Sequence, residues 1–491
     1  GEFLYVLGER IDILDRGEEI ISKFSKAKIK NIKIPEKPKL SLDKYEIRAV
    51  EESIALDEGE LLLIMGPPGS GKTQFITEAA RILGKKERVF VTSHVHKAVD
   101  NIFERLPHID YAIRIGTHHK ISDEVKRFSI ESRYLENLSK RIMFEDDHEI
   151  AKNYAKMFLK ILREQSKFLS RNSYLVGSTI TKSITYPLKY KLFDTIFIDE
   201  AHNTCISLAL LALNKAKKAV IVGDYWQLPP VYTIQQLNEK LNERAKFSTF
   251  KFFKDYIGID INDLIWLQKH YRCNEKIINF SNRYIYEGKI IPDESCKYKF
   301  LNVKSEYYWL DPNKVIVFFN VEGIERIDSR KSRFNRKEAK AIISIIKIML
   351  KHKVNPREIV VLSPFNAQSK MIMEGLRNEG IYDVNVKTVH RYVGGERDIV
   401  IFSITGTSRS SLDFIDERLT NVFVTRAKKK LIVVGSSDAI MYNQMLRKLY
   451  HYIEKLEREG YGLIVNGSPG EIRTPVRRSR ASHPWPLDDR A

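Results

Sequence analysis

Leu61–Thr73 reads LLLIMGPPGSGKT, an apolar run followed by a glycine-rich turn and a Lys-Thr pair, and the next ten residues, QFITEAARIL, have helical periodicity. A buried strand, a turn built on Gly66, Gly69 and Gly71, and a helix following Thr73 form the context in which backbone N–H groups converge on phosphate oxygens. The helix N-terminus adds positive potential. The whole segment Gly66-Pro67-Pro68-Gly69-Ser70-Gly71-Lys72-Thr73 is therefore expected to cradle a nucleoside triphosphate, with Lys72 on the β and γ phosphates and the Thr73 hydroxyl on Mg²⁺.

Working outward, short runs rich in Ile and Val recur between helical stretches: RVFVTS, YLVGS, TIFIDE, AVIVGD, REIVVLSP, DIVIFSIT and KLIVVGS. Such runs are typical of parallel strands covered on both faces, so the expected fold is α/β with two sheets. Residues 117–171 break the rhythm. There Tyr154, Met157, Phe158, Ile161, Leu162, Phe168 and Leu169 repeat at helical spacing among Lys and Arg, which predicts a helical insertion in the first sheet domain. Its basic residues fit either a nucleic-acid path or a solvated helix face. The His118-His119 pair at its start lacks further ligands and reads as surface. From Gly467 the chain has no Lys and four of its sixteen prolines, and it reads as a disordered or appended tail after a C-terminal helix.

The 491 residues exceed one compact core. Lys plus Arg exceed Asp plus Glu by 82 to 63, for a net charge of +19. A polyanion is the natural partner, unless the lysines serve solubility alone. Cys205, Cys273 and Cys296 show no metal spacing and suit a reducing compartment, so a cytoplasmic protein is expected. No apolar stretch approaches the roughly 18 residues of a membrane span, so no membrane partner is expected.

Two further segments carry chemistry. In TIFIDEAH (Thr195–His202) an apolar strand ends in Asp199, placed for the Mg²⁺ shell, and Glu200, placed to orient or deprotonate the attacking water. His202 reads equally as a link between nucleotide and nucleic-acid sites or as a helix-start histidine without such a role. In AVIVGDYWQLPP (Ala219–Pro230) Gly223, Asp224 and Gln227 follow another strand, and a glutamine there can bond both the water and a γ-phosphate oxygen.

The order and wording of these segments resemble superfamily 1 helicases, and within them the branch that includes the nonsense-mediated-decay RNA helicase. Further matching blocks are WLQKHYRCNEKIINFSNRYIYEGKI (Trp266–Ile290), VLSPFNAQ (Val361–Gln368), VKTVHRYVGGERDIVIFS (Val386–Ser403) and NVFVTRAKKKLIVVG (Asn421–Gly435). The resemblance runs from about Leu42 to Gly435. It implies two RecA-like domains, at 41–262 and 263–445, with ATP between them and single-stranded DNA or RNA crossing both. It also implies a monomer, ATP and Mg²⁺ as cofactors, and movement from 5′ to 3′ coupled to unwinding or protein displacement. By the same resemblance Arg272 and Arg426 are arginines of the second domain that reach the γ phosphate, a role suited to the bidentate guanidinium. Glu396 becomes a nucleotide-site carboxylate, and Ser93, His96, Thr179, Pro364, Thr388 and His390 become nucleic-acid contacts.

The sequence also departs from the family. Where family members place a glutamine that reads adenine, this chain has Glu46, which as a carboxylate accepts but does not donate, leaving strict ATP preference open. In HRYVGGE the usual Asp and Gln are His390 and Val393. About forty residues precede the first domain, with one helical stretch at Glu18–Lys26, where the family carries a β-barrel and stalk; a missing N-terminal region or a minimal member are both compatible. The DEAH wording occurs in superfamily 2 as well, yet the QxxGRxxR block of that group is absent. A phosphotransferase acting on a small molecule does not account for the Arg blocks. The alternative function is a nucleic-acid-stimulated ATPase that clamps or remodels ribonucleoprotein without processive unwinding.

Overall fold

The computed structural model describes residues 2–116, 120–129, 147–150, 152–157, 159–160, 163, 174–185, 187–230, 248–392, 394–467 and 469. Most of the expected helical insertion, the His118-His119 pair, Val393 and nearly all of the tail lie outside them. The described residues fall into two compact units, Gly1–Arg272 with Asn282–Cys296, and Cys273–Ser281 with Lys297–Ala491. Among them no helix is long and apolar enough to cross a membrane.

The first unit is built on β1 (Ser25–Lys26), β2 (Glu60–Met65), β3 (Val89–Ser93), β4 (Ala112–Arg114), β5 (Leu175–Thr179), β6 (Phe193–Ile198), β7 (Ala216–Gly223) and β8 (Ile265–Trp266). These strands are parallel in the order β1-β2-β7-β6-β3-β5-β4, and β8 also pairs with β2. Every residue of β2 and β3 is buried, as expected for strands with helices on both faces. The helix Lys72–Leu83 buries Phe75, Ile76, Ala79, Ala80, Ile82 and Leu83 in the same core as Leu62, Ile64, Val89 and Val91. Of the helix expected over Glu18–Lys26, Gly17–Ser22 is helical, whereas Ser25 and Lys26 extend along β2. Backbone bonds Ser25 N to Gly59 O (2.9 Å) and Ala27 N to Leu61 O (3.0 Å) hold them there.

Residues 263–272 pack with this unit, although the sequence reading assigned them to the second domain. After β8 the chain continues beside the glycine-rich turn. Leu267 N donates to Met65 O (2.9 Å) and Tyr271 N to Gly69 O (2.9 Å). A short parallel pair, β9 (Lys269–His270) with β10 (Ile291–Pro292), ties residues 282–296 to the same side.

The second unit contains β11 (Ile316–Asn320), the antiparallel hairpin β12 (Arg326–Ile327) and β13 (Arg333–Phe334), then β14 (Ile359–Ser363), β15 (Asn385–Thr388), β16 (Arg397–Ser403), β17 (Ala427–Gly435) and β18 (Gly462–Asn466). Its six-stranded parallel sheet runs β15-β14-β16-β17-β11-β18. The two described sheets make the protein the α/β molecule that the strand pattern predicted. The helix Arg336–Lys351 lays Ile342, Ile345, Ile346 and Met349 on the core formed with Val317, Phe319, Ile401 and Ile432, at the spacing of one helix face.

At the ends of β14 and β16 a buried polar network replaces apolar packing. Thr405, a β-branched residue, sits at φ +69°, a conformation that persists only when its surroundings impose it. Its N–H donates to both oxygens of Glu338 (3.1 and 2.8 Å), which also accept from Ser403 Oγ (2.7 Å) and Asn335 Nδ2 (3.1 Å). Gln368 closes the ring through Ser403 Oγ (2.9 Å) and the backbone of Asn335 (2.8 Å to its N). Burial pushes the Glu338 carboxyl up to about 8, against the pull of these donors. Since its ordinary value is 4.5, folding takes up a proton, and the associated stabilisation is whole below pH ~4.5 and drains as pH rises through about 8. Urea denaturation of Glu338→Gln between pH 6 and 9 is expected to lose this alkaline decline while the parent keeps it. Parallel pH profiles for the two proteins would show that Glu338 is ionised throughout.

Candidate active site

The glycine-rich turn leaves β2 with Gly66 N donating to Gly223 O (2.8 Å), which couples it to β7. Gly71 has φ +83° and precedes the first residue of the helix. That conformation favours glycine, and a Cβ there would collide with the carboxyl of Glu46. The Lys72 ammonium folds back onto the turn, donating to Gly66 O (2.7 Å) and Pro67 O (3.3 Å), and Ser70 Oγ donates to Pro67 O (2.8 Å). Thr73 follows, half-buried, in the first helical turn.

Glu46 is placed by a capping box. Asp43 Oδ1 accepts from Tyr45 N and Glu46 N, and Glu46 Oε2 accepts from Asp43 N (2.8 Å). Glu46 Oε1 is buried with no hydrogen-bond partner among the described residues. Burial pushes this carboxyl up to about 7, with the Asp43 N–H opposing. Near neutrality the group therefore exists in part as the acid, which donates as well as accepts. This revises the expectation of an acceptor only.

The second domain was expected to supply Arg272, but the structure packs it in the first unit. A Cβ at Gly69 would collide with Arg272 Cβ. The preceding residues, which the sequence reading passed over, grip the same turn. His270, fully buried, donates from Nδ1 to Pro68 O (2.6 Å), and Tyr271 OH donates to Asp43 Oδ2 (2.8 Å).

The carboxylates lie at the ends of β6 and β7, beside the turn. Asp199 is 3% exposed, and its Oδ1 accepts from Glu200 N (2.8 Å). Burial and then the Glu200 charge push its carboxyl up, while Lys72 pulls it down. Glu200 has φ +55° and ψ 37°, a left-handed conformation that costs of order 1–3 kcal/mol for such a residue. Its carbonyl accepts from Asn203 N (3.0 Å) and Thr204 Oγ1 (3.2 Å), and its Oε2 lies 3.1 Å from His202 Nε2. Asp224 is fully buried. Its Oδ2 accepts from Gln227 Nε2 (2.8 Å) and Tyr286 OH (2.7 Å), and its Oδ1 from Trp226 N (3.0 Å). Burial pushes Asp224 up, with Lys72 the largest opposing influence.

Lys72, Asp199, Glu200, Asp224 and Gln227 are thus brought together with the turn. Asp199 and Thr73 offer a carboxylate and a hydroxyl, and no group of three or more His, Cys, Asp or Glu side chains among the described residues forms a metal cage. Such an oxygen-only, sparse donor set suits Mg²⁺, which keeps waters and takes substrate phosphates as ligands.

The remaining candidates lie elsewhere. In the first unit, register pairs Ser93 with Thr179 at the ends of β3 and β5. Ser93 is buried, its Oγ accepting from Val95 N (3.4 Å), so it serves the turn into the helix His96–Glu104 instead of facing solvent. His96, at the start of that helix, accepts from Arg114 (3.4 Å), which forms a buried ion pair with Asp100 (2.8 Å). In the second unit Thr388 pairs with Ser363, next to Pro364, and His390 is exposed two residues on. Arg426 is buried after the helix Glu417–Thr425, its carbonyl accepting from Arg397 N (3.1 Å). Glu396 is half-buried and paired with Lys428 (2.9 Å).

Family profiles described as an AAA domain match residues 41–168 and 150–235, and a second, also described as an AAA domain, matches 248–438. The DNA replication ATP-dependent helicase/nuclease of Bos taurus is 30% identical over 427 residues, covering 80% of this chain and 37% of that protein. An uncharacterized ATP-dependent helicase of Methanocaldococcus jannaschii is 26% identical over 535 aligned positions, covering 92% of this chain and 78% of its own. Among solved structures, Arterivirus nonstructural protein 10 (helicase) matches at a TM-score of 0.40 and 12% identity, covering 82% of this chain and 63% of that one. This chain spans little more than a third of the Bos taurus relative, 37% of its length.

Tyr286, buried and donating to Asp224, had no signal in its own sequence context. Tyr286→Phe removes a hydrogen bond to a buried carboxyl, and urea denaturation is expected to show a loss of about 1–3 kcal/mol. An unchanged unfolding midpoint would mean that Gln227 and Trp226 suffice to hold Asp224.

Proposed function

We propose, on the premise that the chain belongs to the superfamily 1 helicases, that it is an ATP-driven motor that moves along single-stranded nucleic acid and separates or strips it. The observation that carries this reading is the convergence of Lys72, Asp199, Glu200 and the Asp224–Gln227 pair on one glycine-rich turn. The turn's amides and Lys72 hold the β and γ phosphates. Thr73 and Asp199 would hold Mg²⁺, which would neutralise phosphate charge when bound. Glu200 aims the attacking water and takes its proton, and Gln227 bonds the water and a γ-phosphate oxygen. Arg272, packed against the turn, balances the charge that spreads over the phosphoryl oxygens in the transition state.

Glu46 is assigned to the base. In its acid form it supplies both the donor and the acceptor that an adenine edge requires, so ATP preference weakens as pH rises above about 7. The track is proposed to be DNA, because relatives carry names from DNA replication and as a DNA helicase. Movement from 5′ to 3′ and closeness to the nonsense-mediated-decay branch are proposed from the motif wording alone. His96, Thr179, Pro364, Thr388 and His390 are the proposed strand contacts, of a kind that suits phosphates and base faces without sequence readout.

Lys72→Ala is expected to abolish ATP hydrolysis. Glu200→Gln is expected to keep nucleotide binding while turnover falls by about 10²–10⁴, measured as phosphate release beside fluorescent-nucleotide titration. Parental turnover in either variant refutes the assignment. Binding to a single strand is expected to weaken linearly in log–log form as salt rises, and a flat response would contradict a phosphate-tracking surface. Displacement of a 5′-tailed but not a 3′-tailed DNA duplex is the expected signature of the polarity. ATP turnover stimulated by single strands without displacement would favour the clamping alternative.

A further inference from the structure

The DEAH segment holds one buried ionisable side chain that the hydrolytic scheme above does not use. His202 is 4% exposed, and both of its ring nitrogens face chemistry-bearing segments. Nδ1 lies 3.2 Å from Asp224 N. A backbone N–H only donates, so Nδ1 is the acceptor and carries no proton. The neutral ring then has its proton on Nε2, and that atom lies 3.1 Å from Glu200 Oε2. The imidazole is therefore a strut with defined polarity, its acceptor end on the turn after β7 and its donor end on the carboxylate after β6.

The surroundings reinforce that polarity. Thr204 Oγ1 donates to Glu200 O (3.2 Å), so His94 Nδ1, 3.1 Å from the same hydroxyl, is the donor to it. This second histidine steadies the left-handed backbone of Glu200 while His202 steadies its side chain. At the other end, the Asp224 whose N–H fixes His202 is the residue whose carboxylate holds Gln227 (2.8 Å). An apolar side chain would fill the volume of His202, but it would leave Asp224 N–H without this acceptor and Glu200 Oε2 without this donor.

We infer that His202 is a positioning residue for hydrolysis, which fixes the aim of the Glu200 carboxylate and ties it to the Asp224–Gln227 turn, so that the two groups facing the attacking water are set as one unit. The inference rests on the reading of Glu200 given under the proposed function. Nε2–H donation favours the ionised carboxylate, which a proton acceptor needs. It also occupies Oε2 and thereby fixes the plane in which Oε1 is presented.

Two substitutions separate the two ends of the strut. In His202→Asn the amide oxygen reaches the position of Nδ1 and keeps the Asp224 N–H, but the Nε2–H donor to Glu200 Oε2 is lost. In His202→Gln the terminal amide reaches the position of Nε2 and keeps a donor to Glu200, while the acceptor for Asp224 is lost. A misaimed catalytic group costs up to about a hundredfold, so the Asn variant is expected to lose about ten- to a hundredfold in kcat with KM for ATP within about twofold. The Gln variant is expected to lose only about threefold in kcat at the same KM. A merely structural histidine would make KM, melting temperature and kcat change together and give no ranking of Gln over Asn. Equal losses in the two variants, a KM that rises in step, or parental kcat in both would overturn the inference. Should the Asn variant fail to fold, the Gln variant alone decides, because parental kcat or a raised KM in it overturns the inference. Glu200→Gln run alongside separates the two levels. If it turns over at the parental rate, the reading of Glu200 fails and this inference with it. If it binds ATP without turnover while both His202 variants match the parent, only the positioning role falls.

Discussion

Asp199 and Asp224 are both buried at the end of one sheet, with Glu200 beside them and Lys72 as the cation whose charge reaches both. Carboxylates taken out of water cost more than any single neighbour returns unless donors surround them. The local structure answers that demand piece by piece. Glu200 N bonds Asp199, while Trp226 N, Gln227 Nε2 and Tyr286 OH bond Asp224. An arrangement this rich in buried acids is held for what it binds, because apolar residues of similar volume would stabilise the sheet at least as well. A triphosphate with its divalent cation is a ligand for which one lysine and a glycine-rich turn on one side, and carboxylates on the other, make sense together.

Most of that site was legible in the sequence because its determinants are local. Glycines at three turn positions, a Lys-Thr pair opening a helix and two acids ending an apolar strand each declare themselves within about eight residues. The missed features depend on contacts between distant segments. His270 donates to Pro68 across 202 positions and Tyr271 to Asp43 across 228, and only the fold brings them together. For that reason residues 263–272 read as the opening of the second domain when they pack along the phosphate turn of the first. Tyr286 was silent for the same cause, since a tyrosine in the turn after the helix Glu275–Tyr284 carries no mark of the aspartate 62 residues away.

Glu46 shows a second kind of limit, where the residue was identified and its chemistry was not. Sequence gives the side chain an ordinary carboxylate character, acceptor only. Placement at the third position of a capped helix, with one oxygen bound to Asp43 N and the other buried against Gly71, changes the protonation balance. Burial decides this, and burial is a tertiary property that no spacing reveals.

The strand contacts pose the same question on the sheets. In each unit, described by itself, parallel register sets short polar residues side by side at the C-terminal ends of neighbouring strands: Ser93 with Thr179, and Ser363 with Thr388. The pattern alone does not distinguish a phosphate contact from a turn that satisfies itself, and Ser93 falls on the second side, because it is fully buried and accepts from Val95 N. The distinction follows from burial. A hydroxyl closed off from solvent has little to offer a phosphate, whereas an exposed residue such as His390 stands where a passing base can meet it. Strand affinity is therefore expected to depend more on the exposed members of these edges than on the polar residues that the motif wording first singled out.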